Sequence, residues 1–387
     1  MKRLLLLALV LFAGVLCATE LRPYRFMHAD SLVARQQADE TVVHLFGDVH
    51  FFYGETEFYA DRAELYDQQK IARLVGRVQV FDDTLDLYAD SVAYMRQIER
   101  LDLVGNVRAV RDTLNLTANR AVYLREQGSL DLFGEVFYRE MHADGTIRTL
   151  SCETAHYTQE PEVLVTDGRI RAWDERESMH ARCGHAEYHI TNGYAWMIED
   201  PELESRGQDS LYIRAEKIEW FEEAQRLVAN FNVETRSRDY HTTSDFLIYL
   251  LEAEEAVFLG QPGFHTQQAD GTAKEFHLYF VDRQISHATF QDSCEVLFRT
   301  GKEGPKSNRV ESDWMEFGFE GKKLSSFVAE GHVSSFFEQA ADAEHDFSGN
   351  DASGARMTVI ISEDEEVESV SMSGRVSGKY RFENKQD

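Results

Sequence analysis

Four residues in one short stretch have side chains that bind metal: His180, Cys183, His185 and His189. Imidazole and thiolate together suggest zinc, whose ligands stand about 2 Å from the ion. The spacing argues against a closed site. In an extended strand His185 and His189 share a face about 13 Å apart, so one strand cannot bring both to one ion. Cys152 and Cys183 are the next pair to consider. If one repeat of this chain is two strands, they stand about 10 Å apart, too far for a disulfide. With Cys294 the thiols beyond the leader number three, and an odd count makes no disulfide framework. Small buried hydrophobes are the plainer reading. Asp61 and Asp90 are the recurring carboxylates. They recur with the period of the architecture, which suits turn-capping better than catalysis. No Gly-x-Ser-x-Gly, P-loop or His-Glu-x-x-His motif occurs. The expectation is therefore no catalytic residue, no metal and no cofactor.

The elements that position these residues come from a repeat. Gly-x-Val recurs as Gly47-Asp48-Val49, Gly76-Arg77-Val78, Gly105-Asn106-Val107 and Gly134-Glu135-Val136, in steps of 29 residues. Thirteen residues after the first three glycines stand Ala60-Asp61, Ala89-Asp90 and Ala118-Asn119. A fixed period with two phased signatures marks a repeat array. Ala29-Asp30 opens the series. Divergent corners follow at Cys152, Cys183, Ala215, Ser244, Ala273, Ser312 and Ser353. The glycine series continues as Gly168-Arg169-Ile170, Asp200-Pro201, Phe231-Asn232-Val233, Gly260-Gln261-Pro262, Gly331-His332-Val333 and Gly374-Arg375-Val376. About eleven units fill the chain. The longer steps place extra loops at residues 142–146 and 338–351.

Within a unit the apolar period is two. Leu85, Leu87 and Ala89 alternate with Asp86, Tyr88 and Asp90; Leu101, Leu103 and Val107 alternate in the same way on the next strand. That is the mark of half-buried strands. The turns between them are short, which permits only antiparallel neighbours. At the Ala-Asp signature the phase slips by one, from Leu85-Leu87-Ala89 to Val92-Tyr94. A one-residue slip is what a bulge or corner produces. The expected fold is all-β: an antiparallel meander of two-strand repeats, each strand bent at its corner, giving a folded-over, jelly-roll-like sheet with an apolar groove. Helical repeats need longer periods and i, i+3, i+4 spacing, which are absent.

Bulk properties set limits on partners. The chain has 387 residues and a net charge of −28, which argues against nucleic acid. Residues 1–18 read as a signal peptide, with Lys2-Arg3 before an apolar run from Leu4 to Val15. Cys17 allows a lipoprotein alternative, but Leu16 stands where that signal normally has a small residue. The division expected is 1–18 signal peptide, 19–200 regular repeats and 201–387 divergent repeats in the same stack.

The Gly-x-Val and Ala-Asp signatures, the two-strand unit and the leader resemble the OstA-like / LptA family of periplasmic lipopolysaccharide-transport proteins, whose fold also forms the N-terminal part of LptD. The resemblance is most specific over residues 29–157. It implies a β-jelly roll, or β-taco, whose interior shields acyl chains, and head-to-tail stacking between the two membranes. The chain departs from LptD in having too few residues after the repeats for a barrel, and from LptA in being about twice as long. Residue by residue, a dry core explains the interior as well; the resemblance makes the column of Val49, Val78, Val107 and Val136, with Leu87, Leu103, Leu116 and Leu132, a lipid groove. It also implies that the open edges, at residues 25–33 and 376–382, pair with LptC-like and LptD-like proteins or with further copies. Arg25, Phe26, Val376, Tyr380 and Phe382 would carry that pairing, although charges at the same edges could instead block it. The expected role is lipopolysaccharide transport for outer-membrane assembly. The competing readings are an exported adhesin-type scaffold and a polysaccharide-active β-helix enzyme.

Overall fold

The computed structural model describes residues 24–37, 40–81, 85–111, 113–176, 178–206, 210–281, 284–299, 306–321, 323–339, 347–362 and 367–383. The expected leader, with Cys17, lies outside the described residues. The period-two pattern folds as expected. Twenty-eight strand segments join into one hydrogen-bonded sheet among the described residues. Each ladder is antiparallel, as between Glu40–Tyr53 and Thr56–Tyr66, Thr56–Tyr66 and Ile71–Phe81, and Ile71–Phe81 and Asp86–Met95. Two short 3-10 turns, Arg125–Gln127 and Ile190–Asn192, sit at hairpin tips.

The corner has a specific backbone. In the strand Asp86–Met95 the buried residues are Leu87, Ala89, Val92 and Tyr94, so the slip lies where the sequence places it. Its neighbour compensates with one extra residue. Val78 pairs with Ala89, but Val75 pairs with Ser91: three steps on the glycine strand against two on the alanine strand. The extra residue is accommodated by two successive positive φ angles, +84° at Gly76 and +44° at Arg77. Such angles cost any residue with a Cβ, and glycine least. The two-residue signature recurs through the array, at Gly47-Asp48 and Gly105-Asn106 and on to Gly331-His332 and Gly374-Arg375. Glu199-Asp200, Phe231-Asn232 and Asp292-Ser293 adopt it with no glycine at all. The first two are divergent corners expected from sequence. The third, facing Ala273, completes the series where no glycine signature pointed to it.

The bent strands fold the sheet over on itself. Arg125 Nη1 donates to Thr56 Oγ1 at 2.6 Å. By the 29-residue period Thr56 corresponds to Leu114, the first residue of the strand Leu114–Leu124 that leads into Arg125. In a flat sheet the two ends of an 11-residue strand stand about 33 Å apart. Their direct contact means that each corner divides its strand between two facing limbs. Tyr53 and Tyr94 meet across the same gap, with ring centroids 5.5 Å apart.

Between the limbs lie two hydrophobic clusters. One runs from Leu45 to Cys183 and the other from Leu203 to Val359, and Met197 packs against both. One expected loop is smaller than the sequence suggested. Residues 142–146 form a tight turn, but Lys323–Gln339 and Phe347–Ile361 extend well into 338–351. The added residues lengthen the ladder, through Phe337–Asn350 and Gln339–Ser348, because strand pairing satisfies backbone groups that a loop would leave to water.

Candidate functional site

Val49, Val78, Val107, Val136, Leu87, Leu103 and Leu132 are each at most 2% exposed and belong to one continuous cluster. Leu116 is partly buried and packs against it. Each valine faces a small residue on the next strand: Val49 opposite Ala60, Val78 opposite Ala89, Val107 opposite Ala118 and Val136 opposite Cys152. A small side chain there lets the bent strands approach, while the valine fills the angle. The interior changes character along the stack. Near the first strands it is aromatic, with Phe51, Tyr53, Phe58 and Tyr94 in mutual contact. It then becomes aliphatic, and turns aromatic again around Phe276, Phe290, Phe317 and Phe327.

The recurring carboxylates are corner latches. Asp90 lies over Gly105, where an added Cβ would stand 2.4 Å from its oxygen. Asn106 Nδ2 donates to the same carboxylate at 2.9 Å. Arg77 Nε donates to Asp61 at 2.9 Å, and Arg169 Nε to Glu153 at 2.6 Å. The Arg77 hydrogen bond holds the Asp61 carboxyl below its usual range. Divergent corners exchange the partners. Glu199 lies over Gly184, and Lys274 faces Asp292 at 4.0 Å. At Gly331 the acid is Asp313, and His332 takes the place of the arginine, its Nδ1 2.8 Å from the carboxylate; the acids position the corner backbone.

The histidine and cysteine residues serve separate contacts. His180 stacks on Trp173, with centroids 4.1 Å apart. His185 Nδ1 meets Asp167 at 2.5 Å, and His189 Nε2 meets Glu187 at 2.6 Å. Cys152, Cys183 and Cys294 are free and buried. Burial pushes their thiols up to about 11, 12 and 12. Among the described residues no group of three or more His, Cys, Asp or Glu is placed to hold a metal ion.

Among the described residues the sheet stops at two edges. Tyr24–His28 and Ser31–Gln37 pair on one side only, with Glu40–Tyr53. Val367–Ser373 and Ser377–Glu383 pair on one side only, with Phe347–Ile361. Phe26, Tyr380 and Phe382 are exposed on these strands, and the Arg25 guanidinium lies 4.2 Å over Phe52. Val376 is exposed in the bend before the last strand. An outer feature escaped the sequence reading. Phe46, Val75, Val104 and Phe133, each just before a corner glycine, form an exposed apolar ridge at the repeat spacing. Reading the residue before each glycine would have found it.

The OstA-like protein family matches this chain over residues 25–125. Over that stretch the chain is similar to OstA-like proteins. The matched stretch is about a quarter of the sequence and coincides with the most regular corners. A crystal structure of LptH, described as the LptA homologous periplasmic component of the conserved lipopolysaccharide transport device from Pseudomonas aeruginosa, aligns at a TM-score of 0.25 and 13% identity. That alignment covers 27% of this chain and 75% of the LptH chain. No curated protein sequence matches. Beyond residue 125 the same corner is carried by backbone geometry and by the acid-over-glycine contact.

Proposed function

We propose that this protein shields the acyl chains of lipopolysaccharide or a related glycolipid in the periplasm, between the inner and outer membranes, for outer-membrane assembly. The observation that carries the reading is the folded-over sheet with an apolar column between its limbs. An acyl chain in such an interior is stabilised by about 0.8 kcal/mol per methylene removed from water. The guest replaces side-chain contacts across the gap as the limbs part. Val49, Val78, Val107 and Val136, with Leu87, Leu103, Leu116 and Leu132, are the lining residues. The reading needs no bond to be made or broken, so the protein acts as a carrier and not as an enzyme. The regular and divergent repeats, 19–200 and 201–387, act as one stack behind a cleaved leader.

The one-sided edge strands support addition of further strands from LptC-like and LptD-like proteins or from another copy. A photo-crosslinking amino acid at buried Val107, compared with one at exposed Asn106, tests the reading in living cells. Capture of lipopolysaccharide at 107 and not at 106 is expected. Equal capture at both, or none, overturns it.

A further inference from the structure

The two limbs are joined at the N-terminal end by side chains from consecutive hairpin tips. Arg96 and Arg125 each open a tip on the same limb, 29 residues apart. Their backbone N–H groups are fixed alike: Arg96 donates to Lys70 at 2.9 Å and Arg125 to Glu99 at 3.1 Å. From these anchored stems both side chains reach the other limb; Arg96 also holds its own limb, its Nη2 donating to the Tyr66 carbonyl at 3.3 Å and to Asp67 at 3.5 Å. The Arg96 guanidinium lies 4.4 Å from the Tyr24 ring centroid and 5.9 Å from that of Tyr53. Arg125 reaches Thr56 at 2.6 Å. In later units the same backbone position is held by Gln159, Glu222, Leu251 and Phe280, none of them cationic.

The closed arrangement is not fully satisfied. The Arg96 side chain is 4% exposed, and its Nε has no hydrogen-bond partner. The hydroxyls of Tyr24 and of Tyr94, whose ring meets Tyr53, are also buried and unpartnered. Burial pushes the Tyr24 phenol up to about 12, against the opposing Arg96 charge. A buried polar group without a partner disfavours the state that buries it. Parting the limbs here would give all three groups to water while breaking only a few cross-limb contacts. A permanent structural staple would be expected to leave no such groups.

We propose that Arg96 and Arg125 form a releasable clasp that holds the N-terminal mouth of the interior shut, and that its opening admits an apolar chain at that end. The identity of the guest rests on the acyl-chain reading above; the opening itself does not. The test is a full-chain Thr56→Cys/Arg125→Cys protein in a Cys17→Ser background, joined by a short bismaleimide. The remaining thiols are buried, with their pKa pushed well above neutral, so the linker reacts at the introduced pair. The unlinked protein is its own folding control. Two quantities are read: uptake of N-phenylnaphthylamine and of purified lipopolysaccharide, and hydrogen exchange at residues 53–58 and 94–96. Linking is expected to slow uptake and exchange by roughly tenfold or more, as the open population falls. Arg96→Gln should speed both. If the unlinked protein takes up neither probe but linking still slows exchange, the carrier reading fails and the clasp stands. Exchange unaffected by linking overturns the clasp.

Discussion

The two halves of the stack share one corner and close it differently. In the regular half, from Gly47 to Gly168, glycine takes the first positive φ, an acid or Asn lies over it, and arginines tie the limb tips together. In the divergent half Gly260 and Gly331 keep the glycine and its acid, but Phe231 and Asp292 take that φ themselves, and the limbs meet through rings such as Phe298 and Phe327, 5.8 Å apart. A void of about 10 Å³ remains there between Thr235, Tyr240, Tyr249 and Phe280. The Thr235 and Thr242 hydroxyls, opposite each other across two strands, are buried without a partner. The difference teaches that the bend is the invariant of this array. Residue types at the corner are one way of making the bend easy, and aromatic packing can compensate when they are lost.

The comparison breaks most directly through the second half's packing. Phe276 is fully buried and stacks on Phe290 at 4.5 Å. Phe276→Ala should destabilise the protein by about 3–5 kcal/mol. Of the four tryptophans, Trp220 and Trp314 lie in the second half and Trp173 and Trp196 in the first, so in a Trp173→Phe/Trp196→Phe background fluorescence reports the second half. Repeat arrays lose cooperativity when neighbouring units differ in stability. In urea, tryptophan fluorescence should therefore unfold before circular dichroism reports the first half. Coincident transitions would show that Met197 couples the two clusters into one unit.

The corner gives the next largest effect. Gly105 has φ +81°, with the Asp90 carboxylate where a Cβ would go. Gly105→Val should cost about 2–4 kcal/mol, from the left-handed strain and the displaced acid together. Phe231→Gly is the converse. Relief of its φ of +61° should stabilise the second half by up to about 1 kcal/mol, offset in part by the greater freedom of glycine in the unfolded chain. If both substitutions destabilise equally, corner residues matter through packing and not through backbone angle.

These effects also explain what was legible in the sequence. Gly76, Ala89 and Asp90 are read easily because a positive φ, a close strand approach and an acid over a glycine each accept few residue types. Val78 and Leu103 are read because their period is the strand's own. The Asp292-Ser293 corner was hidden because strain borne by surrounding contacts leaves no characteristic residue. The clasp was hidden for another reason. Arg125 and Thr56 are 69 residues apart, and their meeting depends on how far the limbs close, which no local pattern encodes. The histidine and cysteine stretch looked like ligand chemistry only while its strand neighbours, Asp167, Trp173 and Glu187, were out of view.

A smaller change sharpens the same contrast at the Thr235–Thr242 pair, of which Thr235 lines the void. Thr235→Val or Thr242→Val removes a buried hydroxyl that has no partner while keeping the side-chain shape. Each should leave stability unchanged or raise it by about 1 kcal/mol, read as the urea midpoint by tryptophan fluorescence. A loss of similar size would mean that the hydroxyls are satisfied, by each other or by a buried water.

The smallest effect expected belongs to the surface latch of the regular half. The Arg77 hydrogen bond and charge hold Asp61 below its usual carboxylate range. A depressed folded pKa stabilises the native state above the unfolded value, near 3.9. That contribution is lost as pH falls through the folded value. Wild type should therefore lose slightly more stability than Asp61→Asn between pH 5 and the acid limit, and the difference should shrink in high salt because the pair is exposed. Urea midpoints by circular dichroism at several pH values measure it. If the two proteins show parallel profiles, the latch acts by resting on Gly76 and not by its charge. The corners at Gly184 and Ala355, which lack the acid on that strand, would then follow the same rule.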